Sequence, residues 1–120
     1  MFNTEIESIF TDFTIDGVKI PVAFRFYDGD EDTYIVYLQE TKDNSFSAED
    51  KVQGWVEYYD FDIYSKGNYL AIIEAVKELL EANGWTYQPS RDSADMYERD
   101  TKFFHKVLSF AKESEVTNNG

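Results

Sequence analysis

The chain has no cysteine, a single histidine, only two prolines, and far fewer basic than acidic residues. The missing cysteine excludes a disulfide framework, a thiol nucleophile and a thiolate metal site. One histidine, His105, excludes a histidine-based metal cluster within one subunit. No apolar run approaches the ~20 residues that a bilayer-spanning helix needs. The opening MFNTEIES lacks the basic flank and apolar run of a signal peptide, so folding in a cytoplasm is the expectation. G-x-S-x-G, P-loop and G-x-G-x-x-G signatures are also missing, which lowers an enzymatic reading and implies no cofactor. Eleven Lys and Arg against 24 Asp and Glu leave a formal net charge of -13. That charge argues against binding a nucleic-acid backbone or an anionic membrane, because both select basic surfaces. It fits plain solubility, or a surface that repels DNA or copies its charge.

What is present is aromatic. Ten Phe and nine Tyr in 120 residues, with 42% hydrophobic residues overall, suffice for one domain with a real core and favour strands. The organising stretch is 55–84. Trp55, Tyr59, Phe61 and Ile63 fall on one face of a strand, with Val56, Tyr58, Asp60, Asp62 and Tyr64 on the other. Ser65-Lys66-Gly67-Asn68 breaks that pattern, and Ser65 or Asn68 can cap a helix begun there. Ile72, Ile73, Val76, Leu79 and Leu80 then recur at helical spacing, and Asn83-Gly84 is a stop signal.

Upstream, Ile6, Ile9, Phe10 and Phe13 form the stripe of a first helix, with Asn3 or Thr4 as its cap and Asp16-Gly17 as its end. Residues 18–27 alternate as a half-buried strand, and Pro21 puts that strand at an edge or a bulge. Asp28-Gly29-Asp30-Glu31-Asp32 fails the calcium-loop pattern, since Thr33 and Gln39 stand where Gly and Glu are required; it reads as an acidic hairpin turn. Residues 33–39 form the returning strand. Residues 40–51 read as a long polar loop, with Phe46 its only large apolar side chain. After the central unit come a short strand at 85–89, a charged connection anchored by Met96 and Tyr97, and a final strand at 101–112. That strand is apolar on both faces and therefore central or covered by another subunit. The order α-β-β-β-α-β-β predicts an α+β domain, one mostly antiparallel sheet with two helices packed on it. Residues 1–120 make a single domain with a tail that frays from about 113.

Few residues suggest chemistry. Asp60 and Asp62 lie about 7 Å apart along one strand face, a spacing compatible with a carboxylate pair. No catalytic signature flanks them, so a solvated or interfacial face is expected. His105 is read as a structural or interface histidine, with a general base as the alternative. Tyr58, Tyr64, Tyr69, Tyr87 and Tyr97 exceed what a two-layer core holds, which points to a partly wet interface or to the core boundary.

The blocks Tyr59-Asp60-Phe61-Asp62-Ile63-Tyr64-Ser65-Lys66-Gly67-Asn68-Tyr69, the helix through Gly84, Asp95-Met96-Tyr97-Glu98-Arg99-Asp100-Thr101 and Phe103-Phe104-His105-Lys106 succeed one another in a characteristic order. Together with Ile20-Pro21-Val22-Ala23-Phe24 and Thr33-Tyr34-Ile35-Val36-Tyr37 they span nearly the whole chain. In this order and spacing the sequence resembles the tail terminators, or tail-to-head joining proteins, of long-tailed siphovirus-type bacteriophages and prophages. The resemblance implies a structural virion protein of α+β fold, assembled in the bacterial host cytoplasm, and not an enzyme. It implies a homo-hexameric ring that stops tube polymerisation at the head-proximal end of the tail. The implied partners are the tail tube protein and a head-completion connector protein; DNA passes through without specific binding, and no membrane is involved. The family supplies no catalytic, cofactor or metal residue. Exposure and polarity nominate Phe46, Asp60, Asp62, Tyr64, Tyr97 and His105 as interface candidates, with loop 40–51, the edge around Pro21 and the final strand as contact segments. The competing readings are another connector of the neck, an acidic DNA-mimic inhibitor of a DNA-binding protein, and a metal-dependent enzyme using Asp60 and Asp62.

Overall fold

The computed structural model describes residues 2–48, 51–67 and 69–115. Helix α1 is Asn3–Ile9 and helix α2 is Tyr69–Ala82. The strands are β1 (Thr14–Ile15), β2 (Val18–Lys19), β3 (Val22–Phe24), β4 (Thr33–Ala48), β5 (Lys51–Ser65), β6 (Thr86–Tyr87), β7 (Met96–Glu98) and β8 (Phe103–Glu115), with a short 3-10 turn, η1, at Pro89–Arg91. β1 and β2 form a small hairpin of their own. The main sheet runs β3-β4-β5-β8-β6, and β7 also pairs with β8. All its pairings are antiparallel except β3 with β4. This is the expected α+β class: a mostly antiparallel sheet with two helices on it.

The period-2 pattern of β5 sets the layering. Tyr59, Phe61 and Ile63 are fully buried, together with Ile35 and Tyr37 of β4 and Leu108 and Phe110 of β8. Ile72, Ile73, Val76 and Leu80 of α2, with Ile6, Phe10 and Phe13 of the first helical segment, close over them. Phe61 is the hub, with ring contacts to Phe10, Tyr37, Trp85 and Phe110. The end of α2 is fixed as Asn83-Gly84 predicts. Gly84 has φ 87°, its N–H donates to Glu81 O at 3.2 Å, and Trp85 N–H donates to Leu80 O at 3.0 Å. That double bond is a Schellman motif, and it seats Trp85 against Leu80 in the core.

Several expectations fail for local reasons. The described residues of 40–51 are strand and not the expected loop: β4 continues through Ala48 and β5 begins at Lys51, paired Lys42↔Glu57, Asn44↔Trp55 and Ala48↔Lys51. Successive polar residues such as Thr41, Lys42 and Asp43 carry no apolar period, so a strand of this composition looks like coil in the sequence. The strand expected over 18–27 is broken. Val18–Lys19 belongs to the small hairpin, whose two-residue turn Asp16-Gly17 has φ 51° and 79°. Val22–Phe24 joins the main sheet, and Arg25 then reverses the chain at φ 71°, with Phe26 N–H donating to Phe24 O at 2.9 Å in a γ-turn. Phe26 is consequently 74% exposed and Val18 60% exposed rather than facing the core. Because β3 runs parallel to β4, the acidic segment 28–32 is a crossover and not a hairpin turn. The edge position of Pro21 holds: Pro21 O accepts from Ile35 N–H at 2.9 Å beside the outermost strand.

Helix α1 stops at Ile9 and has neither expected cap. Asn3 Oδ1 instead accepts the Tyr59 hydroxyl at 3.0 Å, and that hydroxyl accepts Phe2 N–H at 2.9 Å. The stripe survives this, with Ile6, Phe10 and Phe13 buried. The strand expected at 85–89 shrinks to Thr86–Tyr87. The tail expected to fray from about 113 is still paired with β5 as far as Glu115, opposite Gly54. Asn68 and residues 116–120 lie outside the described residues.

Candidate functional site: the uncapped face of the sheet

Both α-helices pack on one face, so the alternate side chains of β4, β5 and β8 gather on the other. The register arranges them in three transverse rows: Tyr34–Tyr64–His105, Val36–Asp62–Val107 and Leu38–Asp60–Ser109. The first row is a stack. Tyr34 and Tyr64 lie 4.7 Å apart between ring centroids, Tyr64 and His105 4.0 Å, and Tyr27 extends the row at 4.6 Å from Tyr34. Phe103 meets Tyr34 edge-on at 5.5 Å. Edge-to-face and offset contacts of this kind fix ring positions as well as cover them.

The acidic rows are tied to this stack and to η1. His105 Nε2 and Asp62 Oδ2 are 3.2 Å apart. Burial raises the Asp62 carboxyl above the usual aspartate range, and the bond from His105 opposes that shift. Asp60 is pushed further, to about 7, first by burial, then by a hydrogen bond to Glu40 and the charges of Glu40 and Asp62; Arg91 pulls the other way. Arg91 reaches over the face from η1. Its Nη2 donates to Glu40 Oε1 at 3.0 Å, and its guanidinium stacks 4.1 Å from the Tyr58 ring centroid. The segment around η1 is pinned along the edge of β8: Gln88 N–H donates to Ser109 O at 2.8 Å, Ser93 Oγ accepts Val107 N–H at 2.8 Å, and Asp92 Oδ1 accepts Ser109 N–H at 3.1 Å. Asp92 also accepts the Tyr87 hydroxyl. Ser109 Oγ, fully buried beside Asp60, has no hydrogen-bond partner among the described residues.

Four of the six nominated residues are therefore brought together: Asp60, Asp62, Tyr64 and His105. Tyr97 is not with them. It pairs with Phe104 in β7, is 51% exposed, and packs at 4.8 Å on the Phe104 ring, which stacks on Tyr69 of α2. Met96 beside it is also exposed, so neither anchors the connection in the core as expected. Phe46 lies in β4 opposite Gly54, and its side chain is outside the described residues. The sequence reading missed Glu40, Arg91 and Ser109. Glu40 and Arg91 stand in stretches without period; the register of β4 on β5 brings Glu40 to Asp60, and the pinning of η1 along β8 brings Arg91 there.

Chemically, this face can hold a proton. Among the described residues no group of three or more His, Asp or Glu side chains is arranged to hold a metal ion. No helix there is long and apolar enough to cross a membrane. No protein-family model matches the chain, and no curated protein matches it significantly.

Proposed function

We propose that this chain is a ring-forming structural protein of the phage head–tail joint, a tail terminator that caps the tail tube and presents a surface to the head-completion protein. One observation carries the reading beyond the resemblance. β4, β5 and β8 continue past the helix-covered body as an arm with two backbone edges that are free among the described residues. β3 covers β4 only from Ile35 to Tyr37, leaving the outer edge of β4 open from Leu38 to Ala48. On the opposite side, β6 pairs with β8 no further than Ala111, leaving Lys112–Glu115 open. The chain is correspondingly elongated, 53 × 27 × 24 Å. Two different free edges on one sheet suit head-to-tail pairing between copies, and such heterologous contacts close into a ring when the rotation permits. A hexamer built this way carries the net charge of -13 from each subunit, so phosphate finds few partners and DNA slides through.

The test is polymerisation of the cognate tail tube protein with and without this chain, viewed by negative-stain microscopy. Tubes that stop at a fixed end carrying an added ring support the reading. Tubes that grow unchanged and bear no ring overturn it, and pull-down of a basic DNA-binding protein would then favour the DNA-mimic alternative.

A further inference from the structure

The register of β4 against β5 slips at three places, Gln39/Thr41, Asn44/Phe46 and Phe46/Ser47, and the first of them lies at the root of the arm. Gln39 pairs with Tyr59 and Thr41 with Tyr58, so Glu40 is the extra, unpaired residue of a β-bulge. Bulges bend a strand and re-aim a side chain. Here the two neighbours divide: Gln39 Nε2 donates to Glu57 Oε1 at 3.0 Å, while Glu40 is turned to Asp60 and Arg91. The residue that bends the arm is therefore held by the residue that can carry a proton.

We propose that the Glu40–Asp60 carboxyl pair is a proton-operated hinge that sets the angle between the β4–β5–β8 arm and the body of the sheet. With the proton present, the Asp60 and Glu40 carboxyls share one hydrogen bond, and the pair faces Arg91 with a single negative charge. Loss of the proton leaves two carboxylates in contact and only one guanidinium between them. The other charged groups facing Asp60 have fixed roles. Asp62 of the same strand adds a negative charge; His105 of β8 is committed to Asp62; Asp92 beside η1 is committed to Ser109 N–H and Tyr87; and Arg91 is the cation that η1 supplies. Ser109 Oγ, opposite Asp60 in β8, is a hydroxyl without a partner among the described residues. The deprotonated Asp60 gains it as a donor, which holds Asp60 in place and leaves Glu40 to move. Glu40 is also the more easily displaced, since its side chain is 40% exposed and its backbone lies in the bulge. Burial and the neighbouring carboxylates place the transition at about 7. The hinge is a property of the single chain and does not depend on the ring reading.

The experiment is a pH titration of the full chain as a monomer, read in two ways. Amide NMR shifts of Glu40, Thr41 and Tyr58 report the bulge, and a spin-label distance between Ser47 on the arm and Glu81 on α2 reports its angle. In the wild type both readouts are expected to move together with a midpoint of about 7. Asp60→Asn removes both transitions, and Glu40→Gln serves as the second variant if Asp60→Asn does not fold. His105→Gln keeps both, because the imidazole bonds Asp62 and takes no part in the Glu40–Asp60 bond. A constant distance across the titration overturns the proposal even if the amides shift. So does a transition that survives Asp60→Asn or Glu40→Gln, or one that disappears with His105→Gln.

Discussion

One sheet presents two unlike faces. Under the helices, Tyr59, Phe61 and Ile63 have no contact with solvent, and the Tyr59 hydroxyl is satisfied by Phe2 and Asn3. On the opposite face the same strand puts Asp60, Asp62 and Tyr64 partly in solvent, held by stacking and by charge. The difference teaches how one strand divides its work. Apolar burial is non-directional and fixes the layer; the polar rows are directional and respond to conditions that the core does not sense.

The sharpest way to break this comparison is Phe61→Ala. The ring is fully buried and touches four other aromatics, so the loss is expected at about 3–5 kcal/mol in urea unfolding. A cost below about 1.5 kcal/mol would mean that the core is not centred on this residue. Tyr64→Ala, the matching substitution on the other face, removes stacking with Tyr34 and His105 and should cost about 1–2 kcal/mol. Equal costs for the two would show that the uncapped face is as well covered as the helix face.

A pH series separates the faces more finely. The Asp60 carboxyl is raised from 3.8 to about 7 in the folded chain, so the folded state binds the proton more tightly than the unfolded one. Its contribution to stability is complete below the unfolded value and is lost as pH rises through about 7. After discounting for solvent screening, the loss is on the order of 1 kcal/mol. Asp60→Asn should flatten that part of the stability profile relative to wild type, and Phe61→Leu should leave its shape intact. The smallest effect is expected at the sheet edge: Phe26→Ser, at a side chain 74% exposed, should change stability by less than ~0.5 kcal/mol. A larger loss would show that the segment after β3 is packed rather than free.

The sequence made the covered face readable and the open one only partly so. The period-2 run of β5 and the helical stripe of α2 each bury apolar side chains, and burial is what periodicity records. The end of α2 was legible in Asn83-Gly84 because the Schellman cap has its own residue signature; Trp85 was not, being read as the start of a strand. Glu40 and Arg91 were not legible, because a strand without an apolar period and a 3-10 turn share the composition of loops. The parallel pairing of β3 was hidden for another reason. It depends on a positive φ at Arg25, a residue type that gives no warning of one. Asp62 and His105 were singled out separately, yet their contact needs the register of β5 on β8, which no local pattern encodes.

The bulge at Glu40 has a consequence in reach. From Glu40 to Ala48, β4 runs on for at most about 26 Å at ~3.3 Å per residue. A rotation of roughly 10° at its base carries the tip about 4.5 Å sideways, close to the spacing between neighbouring strands. Small leverage at one residue thus becomes a whole strand's width at the far end, enough to change which backbone the tip can meet.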